Sequence, residues 1–121
     1  MFKVTIITVV YNNVFTLGDA ICSVADQNYP HLEYIIVDGQ STDGTVDLVK
    51  HHLDKVDLFI SEPDKGLYDA LNKGIKAASG DIIGILHSDD IFYNNEVVSE
   101  VARVFQHRQT DSLYGDLWYV N

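Results

Sequence analysis

The sequence has one cysteine (Cys22), two prolines, and only 8 Lys and Arg residues against 18 Asp and Glu in 121 positions. A single thiol excludes an intrachain disulfide and any zinc site built on several cysteines. The formal net charge of −10 lacks the cationic footprint that neutralises phosphates, so nucleic acid is not an expected partner. No apolar run approaches the ~20 residues that span a bilayer. The run Val4 to Tyr11 has the length of a signal-peptide core. It leads into polar Asn12-Asn13 with no small-residue cleavage site, and reads instead as a buried strand. Glycine-rich phosphate loops are missing too: there is no G-x-G-x-x-G after that strand and no G-x-x-x-x-G-K-[ST]. A G-x-S-x-G nucleophile elbow is also absent.

What is present fits one domain spanning residues 1–121, with 46% hydrophobic and 11% aromatic content. A chain of this length buries roughly two-thirds of its unfolded surface, enough for a core. Short β-branched runs at Lys3–Tyr11, Leu32–Asp38, Asp57–Ser61, Asp81–His87 and Ser112–Val120 predict five strands. Between them, Leu17, Ala20, Ile21 and Val24 follow helical spacing, as do Val97, Val98, Val101, Val104 and Phe105 within a helix near Asn94–His107. Shorter helices are expected over Thr45–Leu53, capped by Thr42 or Asp43, and over Tyr68–Ala78, with Gly80 as its C-terminal stop. Continuous apolar runs in strands 1, 2 and 4 are what helices on both faces of a sheet require. The fold class is α/β: a three-layer α/β/α sandwich with a mainly parallel, Rossmann-like sheet.

Ligands of such sheets bind beyond the carboxyl ends of the strands. Those exits carry Tyr11-Asn12-Asn13, Asp38-Gly39, Glu62-Pro63-Asp64-Lys65-Gly66 and His87-Ser88-Asp89-Asp90. Two adjacent carboxylates at Asp89-Asp90 are hard oxygen ligands suited to Mg²⁺ or Mn²⁺ beside a substrate phosphate. Their bland alternative is an N-cap for the following helix, which needs only one of them. Asp38 can accept a hydrogen bond from a base N–H, and Tyr11 can offer a ring face for stacking. Lys65 can face a diphosphate as a point charge or simply sit in solvent. His87 is expected to be partly buried and hydrogen-bonded rather than a ligand. His51 and His52 fall near a helix C-terminus and receive no function. Ser41-Thr42-Asp43-Gly44-Thr45 approaches the D-x-D-G-T opening of dehalogenase-type phosphatases, but Ser41 stands where the nucleophile belongs, which leaves a turn and cap.

Taken together, TVVYNN at 8–13, VDGQSTDGT at 37–45 and SEPDKGLYDALNKGIKAASGDIIGILHSDD at 61–90 resemble family-2 inverting glycosyltransferases of the A-type fold, in order and in spacing. The resemblance implies metal-dependent transfer of a sugar from a nucleotide-diphospho-sugar to an acceptor hydroxyl, with inversion. It assigns Tyr11 to stacking on the donor base, Asp38 to hydrogen-bonding it, and Asp89 to the ribose. Asp90 is assigned to a divalent Mg or Mn ion. Asp64, Lys65 and Asn72 are assigned to the lining of the nucleotide pocket. A UDP-sugar is the expected donor, because uracil N3–H is a natural partner for Asp38, and guanine N1–H could serve as well. The general base and the acceptor-binding half are expected beyond Asn121; Asp111 and Asp116 do not match the base. These residues are therefore read as the donor half of a transferase, or as a module that binds donor without transferring it. A third reading is an interaction domain with a dead site. The resemblance also implies a cytoplasmic location, at most peripheral to the inner membrane surface. The apolar residues of strand 112–120 predict self-association.

Overall fold

Strand β1 (Val4–Val10) lies inside the sheet with six of its seven residues buried. This is a computed structural model, and it describes residues 2–108 and 118–120. After β1 come α1 (Val14–Ala25), β2 (Leu32–Asp38), α2 (Thr45–Lys50), β3 (Leu58–Ser61), α3 (Leu67–Ala77), β4 (Ile82–Ile85), α4 (Val97–Arg108) and β5 (Trp118–Val120). The sheet order is β3-β2-β1-β4-β5; the first four strands are parallel and β5 pairs antiparallel with β4. The expected mainly parallel α/β sandwich is the fold found. Residues 112–117 of the expected fifth strand lie outside the described residues.

Strand alternation divides the core in two. Val4, Ile6 and Val10 of β1 join Tyr34 and Ile36 of β2 on one face, under Leu17, Ile21 and Val24 of α1 and Val98, Ala102 and Phe105 of α4. Ile7, Ile35, Val37 and Ile83 face the other way, against Ala70 of α3. Both sets are buried, and for that reason the strands read as unbroken apolar runs rather than as alternating ones. On the first face, Thr8 Oγ1 and Tyr34 Oη meet at 2.8 Å in a fully buried pair. Burial pushes the Tyr34 phenol well above its ordinary pKa even though the Thr8 hydroxyl offsets part of the effect. Tyr34→Phe is expected to cost about 1–2 kcal/mol by orphaning the Thr8 hydroxyl, and adding Thr8→Val should restore most of it. Urea unfolding of the two variants measures both numbers.

Three local expectations are corrected. Helix α2 stops at Lys50 rather than Leu53, followed by a 3₁₀ turn at Leu53–Lys55. His51 and His52 bond the Asp47 and Leu48 carbonyls through Nδ1 at 2.7 and 2.9 Å, so their rings close the helix end. Gly80 is not the stop of α3, which ends in an extended Ala78. A Cβ on Gly80 would lie 2.5 Å from Thr5 Oγ1 and 2.7 Å from Thr5 N, so glycine is required there for contact with β1. Finally, α4 begins at Val97. Asn94 precedes it in a turn, with Oδ1 accepting the Glu96 N–H at 2.8 Å.

Candidate functional site

Beyond β1 the chain goes first to β2 and β3 on one side and then returns to β4 on the other. The crevice at the carboxyl ends of β1 and β4 is thus the switch point where such sheets bind ligands. Side chains on both sides knit it together. Asn13 Nδ2 donates to Ser88 Oγ at 3.0 Å, and Thr16 Oγ1 donates to the Ser88 carbonyl at 2.9 Å. Asn12 sits in the left-handed region at φ 49°. There its N–H donates to Ser41 Oγ at 2.7 Å, while its Oδ1 accepts the Thr42 N–H at 2.8 Å. Asp43 Oδ1 accepts the Thr45 N–H at 3.0 Å, and Oδ2 accepts the Val14 N–H at 3.2 Å, joining the starts of α1 and α2. The Thr45 hydroxyl, followed by these N–H groups, holds the Asp43 carboxyl below the usual carboxylate range. The D-G-T string is therefore a cap and turn, with Asp43 acting from just outside the Gly44 N-cap (φ 99°).

Asp38 is placed differently from its expected role. Its register partner on β1 is Val10, so its side chain leaves the sheet on the α1 face. The carboxylate is fully buried. Oδ2 accepts the Gln40 and Ser41 N–H groups at 3.0 Å each and the Ser61 hydroxyl at 2.8 Å, while Oδ1 accepts the Ser41 hydroxyl. Asp38 thus builds the loop after β2, including Gln40 at φ 69°.

Tyr11 and Asp64 come together at the carboxyl end of β1. They line a cleft of about 300 Å³ with Val9, Val10, Gly66 and Leu67, between the end of β1 and the start of α3. The Tyr11 ring is 64% exposed, which leaves a face open for stacking. Gly39 forms part of the wall: a Cβ there would lie 2.8 Å from Asp64 Oδ2 and 3.3 Å from Tyr11 Cδ1. The loop carrying Asp64 is fixed. Asp64 Oδ1 accepts the Gly66 N–H and Asp69 Oδ2 accepts the Lys65 N–H, both at 3.0 Å. Lys73 Nζ donates to the Pro63 carbonyl at 2.9 Å and pairs with Glu62 at 3.1 Å.

The remaining expected residues sit further out. Lys65 is exposed on the same loop. Asn72 is exposed on α3 and does not line the cleft. Asp89 and Asp90 are exposed on a turn closed by the Asp90 N–H to the His87 carbonyl at 3.0 Å. Since α4 begins at Val97 behind its own Asn94 turn, neither is that helix's N-cap. His87 is exposed, correcting the expectation of a partly buried, hydrogen-bonded ring: β4 ends at Ile85 and only Leu86 continues into the core. Among the described residues no three His, Cys, Asp or Glu side chains cluster to hold a metal. An exposed carboxylate without such a cluster fits Mg²⁺ or Mn²⁺, which take one or two protein carboxylates and complete their shell with waters and phosphate oxygens.

Asn12, Asn13 and Ser88 stand in the strand exits named from the sequence, but the bonds by which they and Ser41 tie the rim together are not evident from spacing. The available signal was Asn12-Asn13 directly after a strand, since asparagine tolerates left-handed backbone and bonds nearby main chain. A second cavity of about 400 Å³, between α1 and the 91–95 loop, contains none of the expected site residues. Among the described residues no helix is long and apolar enough to cross a membrane.

Comparison with known proteins fits this geometry. An uncharacterized glycosyltransferase of Mycobacterium tuberculosis is 38% identical over 100 residues, covering 82% of this chain and 38% of the relative. The putative glycosyltransferase EpsE of Bacillus subtilis is 34% identical over 110 residues, covering 88% and 40%. The chain therefore spans less than half the length of these relatives. S. aureus TarS 1-349 in complex with UDP-GlcNAc superposes with a TM-score of 0.83 at 26% identity, over 90% of this chain and 32% of the TarS 1-349 chain. The mannosyltransferase PcManGT from Pyrobaculum calidifontis, in complex with GDP-Man and Mn²⁺, gives 0.81 at 26% identity, over 86% and 32%. The family model described as Glycosyl transferase family 2 matches residues 5–121. With its parallel sheet, its switch-point crevice and this match over nearly its whole length, the chain belongs to glycosyl transferase family 2.

Proposed function

We propose that these residues bind the nucleotide-diphospho-sugar donor of an inverting, divalent-metal-dependent glycosyltransferase. The observation that carries this is the pairing of an aromatic cleft at the β1 exit with exposed carboxylates at the β4 exit, two rims tied by Asn13 and Ser88. Support comes from the UDP-GlcNAc bound in TarS and the GDP-Man and Mn²⁺ bound in PcManGT.

In this reading the donor base stacks on Tyr11, with the ribose towards Asp89 and the diphosphate between Lys65 and Asp90. A divalent cation held by Asp90, when bound, neutralises charge on the departing nucleoside diphosphate. Lys65 adds a positive point charge on the leaving-group side. The acceptor hydroxyl attacks the anomeric carbon from the opposite face and needs a base to take its proton. Neither Asp38 nor Asp64 suits that role: the first is buried within its own loop, and the second lines the base cleft.

Isothermal calorimetry with UDP and GDP, with and without Mn²⁺, tests the proposal. Binding that strengthens with Mn²⁺ is the expected result. Binding of neither nucleotide, or binding indifferent to metal removal by a chelator, would overturn it. Tyr11→Ala is expected to weaken nucleotide binding about tenfold, the lower range for losing one base–aromatic stack. The same titration measures it.

A further inference from the structure

Resting on the donor-binding reading above, we infer that Asp64, and not Asp38, is the carboxylate that reads the nucleobase. It selects a base with a ring N–H beside a carbonyl, uracil or guanine, over cytosine and adenine.

Three observations converge. Asp38 is fully buried and does not line the Tyr11 cleft, and its oxygens are taken up by four donors of its own neighbourhood. Asp64 lines the cleft with Tyr11, and only its Oδ1 is engaged, by the Gly66 N–H. Its Oδ2 accepts no hydrogen bond among the described residues and hangs over Gly39 at the edge of the Tyr11 ring. The missing side chain at Gly39 is what lets the carboxylate and the ring come this close.

The chemistry follows from placing a flat base on Tyr11 with its edge towards Asp64. Uracil N3–H donates to a carboxylate oxygen, and guanine offers N1–H and its amino group to the same acceptor. Cytosine N3 and adenine N1 carry lone pairs that a carboxylate repels. The loop is clamped in advance by Lys73 on Pro63 and Glu62 and by Asp69 on the Lys65 N–H, so Oδ2 is held in place before the base arrives.

The test is calorimetry in Mn²⁺ with UDP, GDP, CDP and ADP on the full chain and on two variants, Asp64→Asn and Asp38→Asn. Asparagine at 64 keeps the size and the Gly66 cap, but its amide group can donate to a lone pair. The unaltered chain is expected to prefer UDP or GDP over CDP and ADP by about tenfold or more, and the favoured one of the two identifies the base. Asp64→Asn is expected to collapse that preference by about tenfold while the protein still melts cooperatively. Should Asp64→Asn keep the preference, or should a folded Asp38→Asn alone abolish it, the inference fails and donor binding stands. If no nucleotide binds the unaltered chain, donor binding falls and the inference falls with it.

Discussion

Asp38→Ala should lower the unfolding free energy by about 3 kcal/mol, the largest stability loss expected from any change at the rim. The substitution strips the partner from four donors at once: the Gln40 and Ser41 N–H groups and the Ser41 and Ser61 hydroxyls. A buried donor left unpaired costs about 1–3 kcal/mol, and those donors near the loop surface recover part of it from water. The left-handed Gln40 then loses the bond that holds it. Asp38→Asn should cost only about 1 kcal/mol, because one carboxamide oxygen still accepts. Urea midpoints at unchanged m separate the two variants. A loss below 1 kcal/mol for alanine would mean that the loop stands without its carboxylate.

The largest binding effect is expected from Asp90→Asn. In Mn²⁺ it should weaken UDP binding about 100-fold, since a charged ligand to a hard cation becomes a neutral one. Uridine has no diphosphate, and its affinity should not change. This contrast separates loss of the metal contact from damage to the base cleft. The exposed turn carrying Asp90 makes no core contact through that side chain, so stability should also be preserved. A similar loss for uridine, or full retention of Mn²⁺-dependent UDP binding, would count against the assignment of Asp90 to the cation. Asp89→Asn serves as the neighbouring control: a ribose contact predicts a loss shared by UDP and uridine.

What could be read from the residues follows from how burial constrains them. Strands β1, β2 and β4 were plain because both faces are covered, which forces unbroken apolar runs. Edge strand β3 keeps an exposed Leu58 and is legible from the short apolar run ending at Ile60. The ends were harder, because side chains set them. The rings of His51 and His52 close α2 early, and Asn94 delays α4. Gly80 looked like a helix stop because a glycine after a helical pattern usually is one; here contact with Thr5 demands it. The rim motifs lie on loops that the fold brings to one edge of the sheet. They do not say which carboxylate is used up by its own loop. Asp38 is buried under four donors, while Asp64 lines the cleft that opens at Tyr11. Sequence spacing alone does not resolve which acid a loop bonds to its own backbone.

The place of β1 between β2 and β4 has a consequence for how the chain acquires its shape. One edge of β1 is closed by β2, about 28 residues along, but the other waits for β4, with Val4 opposite Ile82. Such long-range pairing is slow to form and exposes an apolar strand edge meanwhile. The bonds from Asn13 and Thr16 to Ser88 can form only after β4 has docked. On a growing chain, β1, β2 and α1 can assemble early, while the two halves of the rim remain apart. Closure of the last parallel pair therefore completes the parallel part of the sheet and the binding crevice in one event, so a folding intermediate that lacks β4 would have the aromatic side of the crevice without its acidic side.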